Sequence, residues 1–216
     1  MLNKAILFLI VASFIYAVHA NEFKENSNKI NYETLDMGKS CKIRFIISAN
    51  FKYQIGNGGN PKNNVGGITI YPIPNAWKSN MDTLTLSFSC KEKNYIDNPQ
   101  PSGIYDKKLE RWKKAPKELR NYLKQSQDYS DPDFLNSTIA AMRVYDIKTP
   151  NAQGWADTSD QLTGDDAGRT RYMSFCIYHA SKALCGLGKV GLLRDGPRGD
   201  LVPHALKILR SIEFLE

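Results

Sequence analysis

The side chains able to do chemistry are few. After residue 20 the chain holds two histidines, His179 and His204. His179 stands two residues before Ser181, and His204 directly follows Pro203. Nucleophilic catalysis needs a Ser or Cys with a positioned base. No G-x-S-x-G or H-E-x-x-H pattern occurs, so His179 reads as a turn or strand residue. Four acids, Asp157, Asp160, Asp165 and Asp166, crowd one polar stretch with Ser159 and Thr163 between them. Calcium takes several oxygen ligands on a flexible loop, which such a stretch would supply. The EF-hand spacing is absent, so calcium stands as the alternative to a solvated loop tip. Scattered acids of this kind would also suit a hydrolase of the cell envelope, with or without calcium. No other cofactor is expected.

The second chemical group is thiol. Cys41, Cys90, Cys176 and Cys185 lack any C-x-x-C pair, and His is scarce, so disulfides are favoured over zinc. Four cysteines allow three connectivities. Cys176 and Cys185 flank a probable hairpin turn at His179 to Lys182, where they would face each other. Cys41 and Cys90 each adjoin a strand-like run and are paired by the same reading.

The third group is cationic. Lys107, Lys108, Arg111, Lys113, Lys114, Lys117, Arg120 and Lys124 fall in one stretch with Trp112 and Tyr122 interleaved. Nucleic acid, an anionic membrane and an acidic protein all recognise such a surface. An exported protein rarely meets nucleic acid, which leaves a solvated face or an acidic partner. The loop Gly56 to Gly67 is rich in Gly and Asn but lacks the Gly-Lys-Ser/Thr of a phosphate cradle. Asn136-Ser137-Thr138 matches the N-glycosylation acceptor pattern, relevant only in a eukaryotic source.

Export is argued from residues 1–20, MLNKAILFLIVASFIYAVHA. One Lys, a short apolar run and a closing Val-His-Ala form the pattern of a secretory signal peptide. The run is too short to span a bilayer comfortably, and no second apolar stretch of spanning length follows. Cleavage would leave 196 residues and a charge of +6, 28 basic against 22 acidic, where the whole chain carries +7. That is one domain's worth of chain.

The elements that must position these groups follow from periodicity. Lys42 to Ser48 is β-branched and aromatic, hence a strand. Thr83 to Cys90 alternates apolar and polar, the pattern of a half-buried strand. Asn21 to Ser40 is polar and reads as loose, or as a short helix around Tyr32 to Met37. Ile68 to Tyr71 reads as a short strand. Asp106 to Gln127 reads as two helices, the first carrying Leu109 and Trp112, the second opening near Ala115 at Pro116. Thr138 to Lys148 reads as a strand and Asn151 to Gly168 as a loop. Tyr172 to His179 and Leu184 to Leu193 form a hairpin, and Pro203 opens a last helix with an apolar stripe at Leu206, Ile208, Leu209 and Ile212. This order argues α+β: an antiparallel sheet packed with helices. The divisions are a signal peptide at 1–20, a polar segment at 21–40 and a single domain at 41–216.

The closing run His204-Ala205-Leu206-Lys207-Ile208-Leu209-Arg210-Ser211-Ile212-Glu213-Phe214 resembles the end of PsbP-like domains, where a final helix runs into a short strand. The chain as a whole resembles small periplasmic immunity proteins of type VI secretion systems. The resemblance implies an α+β fold and a role in binding a toxin, and it carries over no individual residue.

The sequence thus points to an exported, periplasmic or secreted protein that binds rather than catalyses, with a protein partner, plausibly an effector toxin. An envelope accessory protein binding anionic lipid or glycan is a further alternative. Expected contact residues are Trp155, Asp157, Asp160, Asp165, Asp166, Trp112 and Arg111, with Trp77 and Tyr105 as further anchors.

Overall fold

The computed structural model describes residues 30–38, 41–56, 64–93, 103–125 and 129–215. The expected signal peptide and most of the Gly/Asn loop (57–63) lie outside the described residues. Twelve strands and three α-helices are described: β1 (Ile30–Asp36), β2 (Lys42–Ser48), β3 (Tyr53–Gly56), β4 (Val65–Ile70), β5 (Leu84–Glu92), β6 (Gly103–Asp106), β7 (Arg111–Lys114), α1 (Pro116–Leu123), α2 (Pro132–Ala141), β8 (Arg143–Lys148), β9 (Gln153–Asp160), β10 (Thr170–His179), β11 (Lys182–Leu192), α3 (Val202–Arg210) and β12 (Glu213–Leu215). They form a seven-stranded sheet ordered β3-β4-β5-β11-β10-β9-β8, a three-stranded sheet β1-β2-β12 and the two-stranded hairpin β6-β7. Every strand pairing described is antiparallel. The expected mixed α+β class is what the chain adopts.

The main core lies between the two larger sheets. Alternation in β5 sends Leu84, Leu86, Phe88 and Cys90 inward, and β2 answers with Ile43, Phe45 and Ile47. Helix α3 adds Ala205, Leu206 and Leu209 from its apolar stripe. Phe88 bridges the layers, with ring centroids 6.4 Å from Phe45 and 5.7 Å from Phe175. Phe175 crosses β11 where that strand has Gly186; a Cβ there would lie 2.0 Å from the Ser87 carbonyl and 2.4 Å from the Phe175 ring. The Cys41–Cys90 disulfide ties the segment leading into β2 to β5, and Cys176–Cys185 crosslinks β10 to β11 at directly paired positions. Both pairings are those read from the sequence, and they fit an oxidising, extracytoplasmic setting. Among the described residues no helix is long and apolar enough to cross a membrane.

Four expectations are corrected. Tyr32 to Met37 is not helical: β1 pairs along its length with β2, and Leu35 and Met37 are buried while Tyr32 and Thr34 are exposed. Residues ahead of 41 thus supply a strand of the three-stranded sheet. The first basic helix is instead the β6–β7 hairpin. Asp106 Oδ1 accepts from the N–H groups of Lys108 and Leu109, and Glu110 adopts a left-handed φ of 48°, which turns the chain. The Thr138 end of the expected strand belongs to α2. Asp131 caps that helix by accepting from the N–H groups of Asp133 and Phe134, ahead of Pro132, and only β8 is extended. The first part of the expected loop from 151 to 168 is instead β9 (Gln153–Asp160), paired on both sides by β8 and β10.

The register of β9 decides its chemistry. Ala156 lies opposite Phe175 on the core side, so Trp155 and Asp157 point to the opposite face. That face is covered near β8 and β9 by the β6–β7 hairpin and by α2. Leu119 and Leu123 of α1 meet Leu135 and Ile139 of α2 in a second, smaller core.

Candidate functional site

The acids expected to converge are each engaged within the fold. Asp157 is 2% exposed and has partners inside the protein. Asp160 accepts from Arg171 Nε at 2.6 Å and Nη2 at 2.8 Å, while Arg171 Nη1 reaches Asp200 at 2.6 Å. The hydrogen bond with Asp160 raises the pKa of the Arg171 guanidinium well above its ordinary value against the cost of burial, with Asp200 adding to it. Asp200 also accepts from the Val202 N–H, so the triad anchors the start of α3. Asp165 accepts from the Ala167 N–H, and Asp166 pairs with Arg169. Among the described residues no three His, Cys, Asp or Glu side chains are grouped to hold a metal ion. Of the acids expected to bind calcium or a partner, Asp157 and Asp160 stand on opposite faces of β9 with partners inside the fold, whereas Asp165 and Asp166 lie in the exposed turn that follows, with local partners.

The expected aromatic anchors are also internal. Trp155 is 1% and Trp77 8% exposed, too little for a partner to grip. Trp77 stacks on His204 with centroids 3.8 Å apart and meets Phe51 edge-on. Burial, reinforced by the Lys207 charge, lowers the His204 pKa. His179 stacks on Phe214, and its Nδ1 lies 2.7 Å from the Asn151 carbonyl oxygen. Trp112 is half-buried under the hairpin, 6.4 Å from Trp155, 5.9 Å from Tyr178 and 5.6 Å from Tyr105. Its backbone N–H donates to Asp146 Oδ1 at 2.9 Å. Trp112, with Tyr105 packed against it, thus holds the hairpin to the sheet.

What the hairpin presents outward is basic and apolar. Lys107, Lys108 and Arg111 are exposed and have no ion pair among the described residues. Leu109 at the turn and Ile104 on β6 are both exposed large apolar side chains, the first at 51%. Lys113 pairs with Asp106, whose carboxyl that ammonium and the Leu109 N–H hold below the usual range. Lys114 turns inward, donating to the carbonyls of Ile139 and Met142 at the end of α2, where burial lowers its pKa. The helix dipole favours a cation there. Arg120 donates to Asn136. Of the expected contact residues, Arg111, Asp165 and Asp166 are exposed, and Arg111 has no ion pair among the described residues.

A second basic feature lies on the other side of edge strand β8. An open groove of about 690 Å³ runs between α3 and the three-stranded sheet, lined by Tyr32, Arg44, Lys207, Arg210 and Glu213 among others. Arg210 Nη2 donates to the Asp146 carbonyl at 3.3 Å, and the Asp146 carboxylate receives the hairpin's Trp112 N–H. Asp146 is thus where the two basic features meet. Sequence reasoning missed the groove because its cations come from β2 and α3, 163 positions apart at Arg44 and Lys207. The spacing of Lys207 and Arg210 on one helix face was the only local sign.

No protein-family model and no curated protein matches the chain.

Proposed function

We propose that this is an exported, non-catalytic binding protein that engages an acidic protein partner through the β6–β7 hairpin. One observation carries the reading: Leu109 and Ile104 stand exposed on the same hairpin as three exposed cations that have no ion pair among the described residues, and Trp112 holds that hairpin in place. Apolar anchors ringed by charge supply affinity at the centre and steering at the rim. The resemblance to immunity proteins gives the partner its identity, a toxin delivered to the periplasm that the protein binds and neutralises. Both disulfides suit that compartment.

The test is affinity purification from the source's periplasmic and secreted proteins with wild type and a Leu109→Glu/Arg111→Glu variant in parallel. The expected result is an acidic protein retained by the wild type, whose activity it inhibits. The variant should bind the isolated partner at least about tenfold more weakly. Equal retention by both proteins, or no acidic partner at all, overturns the reading.

A further inference from the structure

We infer that the groove between α3 and the β1–β2–β12 sheet is a second binding site, for an anionic saccharide chain bearing carboxylate or sulfate groups. It does not rest on the hairpin.

Size and shape come first. The groove holds about 690 Å³, inside the span of roughly 300–1,000 Å³ common to ligand sites. It is open to solvent rather than enclosed, which suits a short stretch of chain more than a small molecule held on all sides.

Charge comes second. Arg44, Lys207 and Arg210 line it against a single carboxylate, Glu213. Two of the cations are already held in place. Arg44 donates to Glu213 Oε2 from Nε at 3.2 Å and Nη2 at 2.6 Å, and its guanidinium lies 5.3 Å from the centroid of the Tyr32 ring. Arg210 is steadied by the Asp146 carbonyl. Lys207 is exposed and has no ion pair among the described residues. The cations stand on both walls, Arg44 on the sheet and Lys207 with Arg210 on the helix, so neighbouring oxyanions along one chain would meet opposite walls. Arginine's planar fork matches carboxylate and sulfate oxygens.

The uncharged lining comes third. Tyr32 is 62% exposed, and Ile46, Pro150 and Pro203 complete the surface. Flat aromatic and pyrrolidine rings pack against the C–H faces of sugar rings while a phenol remains free to hydrogen-bond.

The backbone argues against an extended peptide. Extended peptides that dock by strand addition gain affinity by pairing with a free sheet edge. Here β2 lies between β1 and β12. Past the end of β12, the Ile46 N–H donates to Ser211 Oγ. On β12 itself, the Asn151 side-chain amide takes both the N–H and the carbonyl of Phe214. The strand backbone on the α3 side of the groove is therefore already satisfied. On the α3 side of the groove a ligand therefore meets chiefly side chains, which suits recognition of a saccharide.

The experiment titrates the full exported chain with a heparin-derived hexasaccharide and with hexagalacturonate, at an ionic strength matched with sodium sulfate. Binding of at least one saccharide is expected. A Lys207→Gln/Arg210→Gln variant should weaken it at least about tenfold. Tyr32→Ala, which changes no charge, should weaken it several-fold, and Lys107→Gln/Lys108→Gln should leave it unchanged. All substituted residues are exposed, and equal melting temperatures confirm folding. The inference is overturned if neither saccharide binds or if only the hairpin variant loses binding. It is also overturned if Tyr32→Ala has no effect or if hexaglutamate competes as well as the saccharides. Failure here leaves the hairpin reading untouched, because the hairpin variant is the one that should lose the protein partner.

Discussion

The two disulfides should contribute unequally to stability, and the difference can be worked from their placement. Cys41 and Cys90 are 49 residues apart, Cys176 and Cys185 only 9. Loop-closure entropy in the unfolded chain then gives about 4 kcal/mol for the first and about 2.7 kcal/mol for the second at 25 °C. Two structural facts widen the gap. Cys41 and Cys90 are both buried in the main core, so alanine there also removes packed sulfur. The Cys176–Cys185 link instead repeats what the register of β10 and β11 already enforces from Thr170 to Leu192. Urea unfolding of Cys41→Ala/Cys90→Ala and Cys176→Ala/Cys185→Ala, followed by circular dichroism, should place the first variant at least about 1.4 kcal/mol below the second. Equal losses, or a larger loss for the hairpin link, would refute the argument that the long-range staple holds the two sheets together.

Three further outcomes follow from single positions. Gly186→Ala should destabilise by about 3 kcal/mol, since its Cβ would meet both a backbone carbonyl and the Phe175 ring; adding Phe175→Leu should restore only part of that in denaturant unfolding, because the Ser87 carbonyl cannot move away. Lys114→Met should cost about 1–2 kcal/mol by leaving the Ile139 and Met142 carbonyls without their donor at the end of α2, read as a lower urea midpoint at unchanged slope. His204 has a lowered pKa in the fold. As pH falls below the unfolded value of about 6.5, the unfolded chain gains a proton that the folded chain refuses, and stability declines. The loss begins at the unfolded value and levels off once the folded pKa is passed. His204→Phe, which keeps a ring on Trp77, should flatten that part of the melting temperature against pH, and an unchanged slope would refute it.

Local pattern was enough wherever one face of an element was strongly apolar. The alternation of β5, the β10–β11 hairpin with its cysteines, and the Pro203-led helix all stand where periodicity placed them. Pattern was insufficient where tertiary contacts overrode composition. β1 is mostly polar and is a strand because Leu35 and Met37 complete a core assembled by β2. The stretch 106–114 is rich in helix formers, yet it turns at Asp106 to Glu110 because Trp112, with Tyr105 packed on it, finds Tyr178 and Trp155 beneath it. β9 looked like a loop because Asp157 and Asp160 carry charge, and charge enters a buried strand only when distant partners such as Arg171 are brought to it.

The same division runs through function. By itself the sequence determined a basic chain, four cysteines without a C-x-x-C pair, and a cationic stretch around Arg111, since these depend on residue identity and near spacing. The tertiary structure alone decided which charges are free. It took Asp157, Trp155 and Trp77 inside and paired Asp160 with Arg171, because burial costs least where partners converge. It left Lys107, Lys108 and Arg111 around Leu109, and it brought Arg44 to Lys207 and Arg210 across a groove. No spacing along the chain encodes that last meeting, because only the packing of α3 against the β1–β2–β12 sheet creates it.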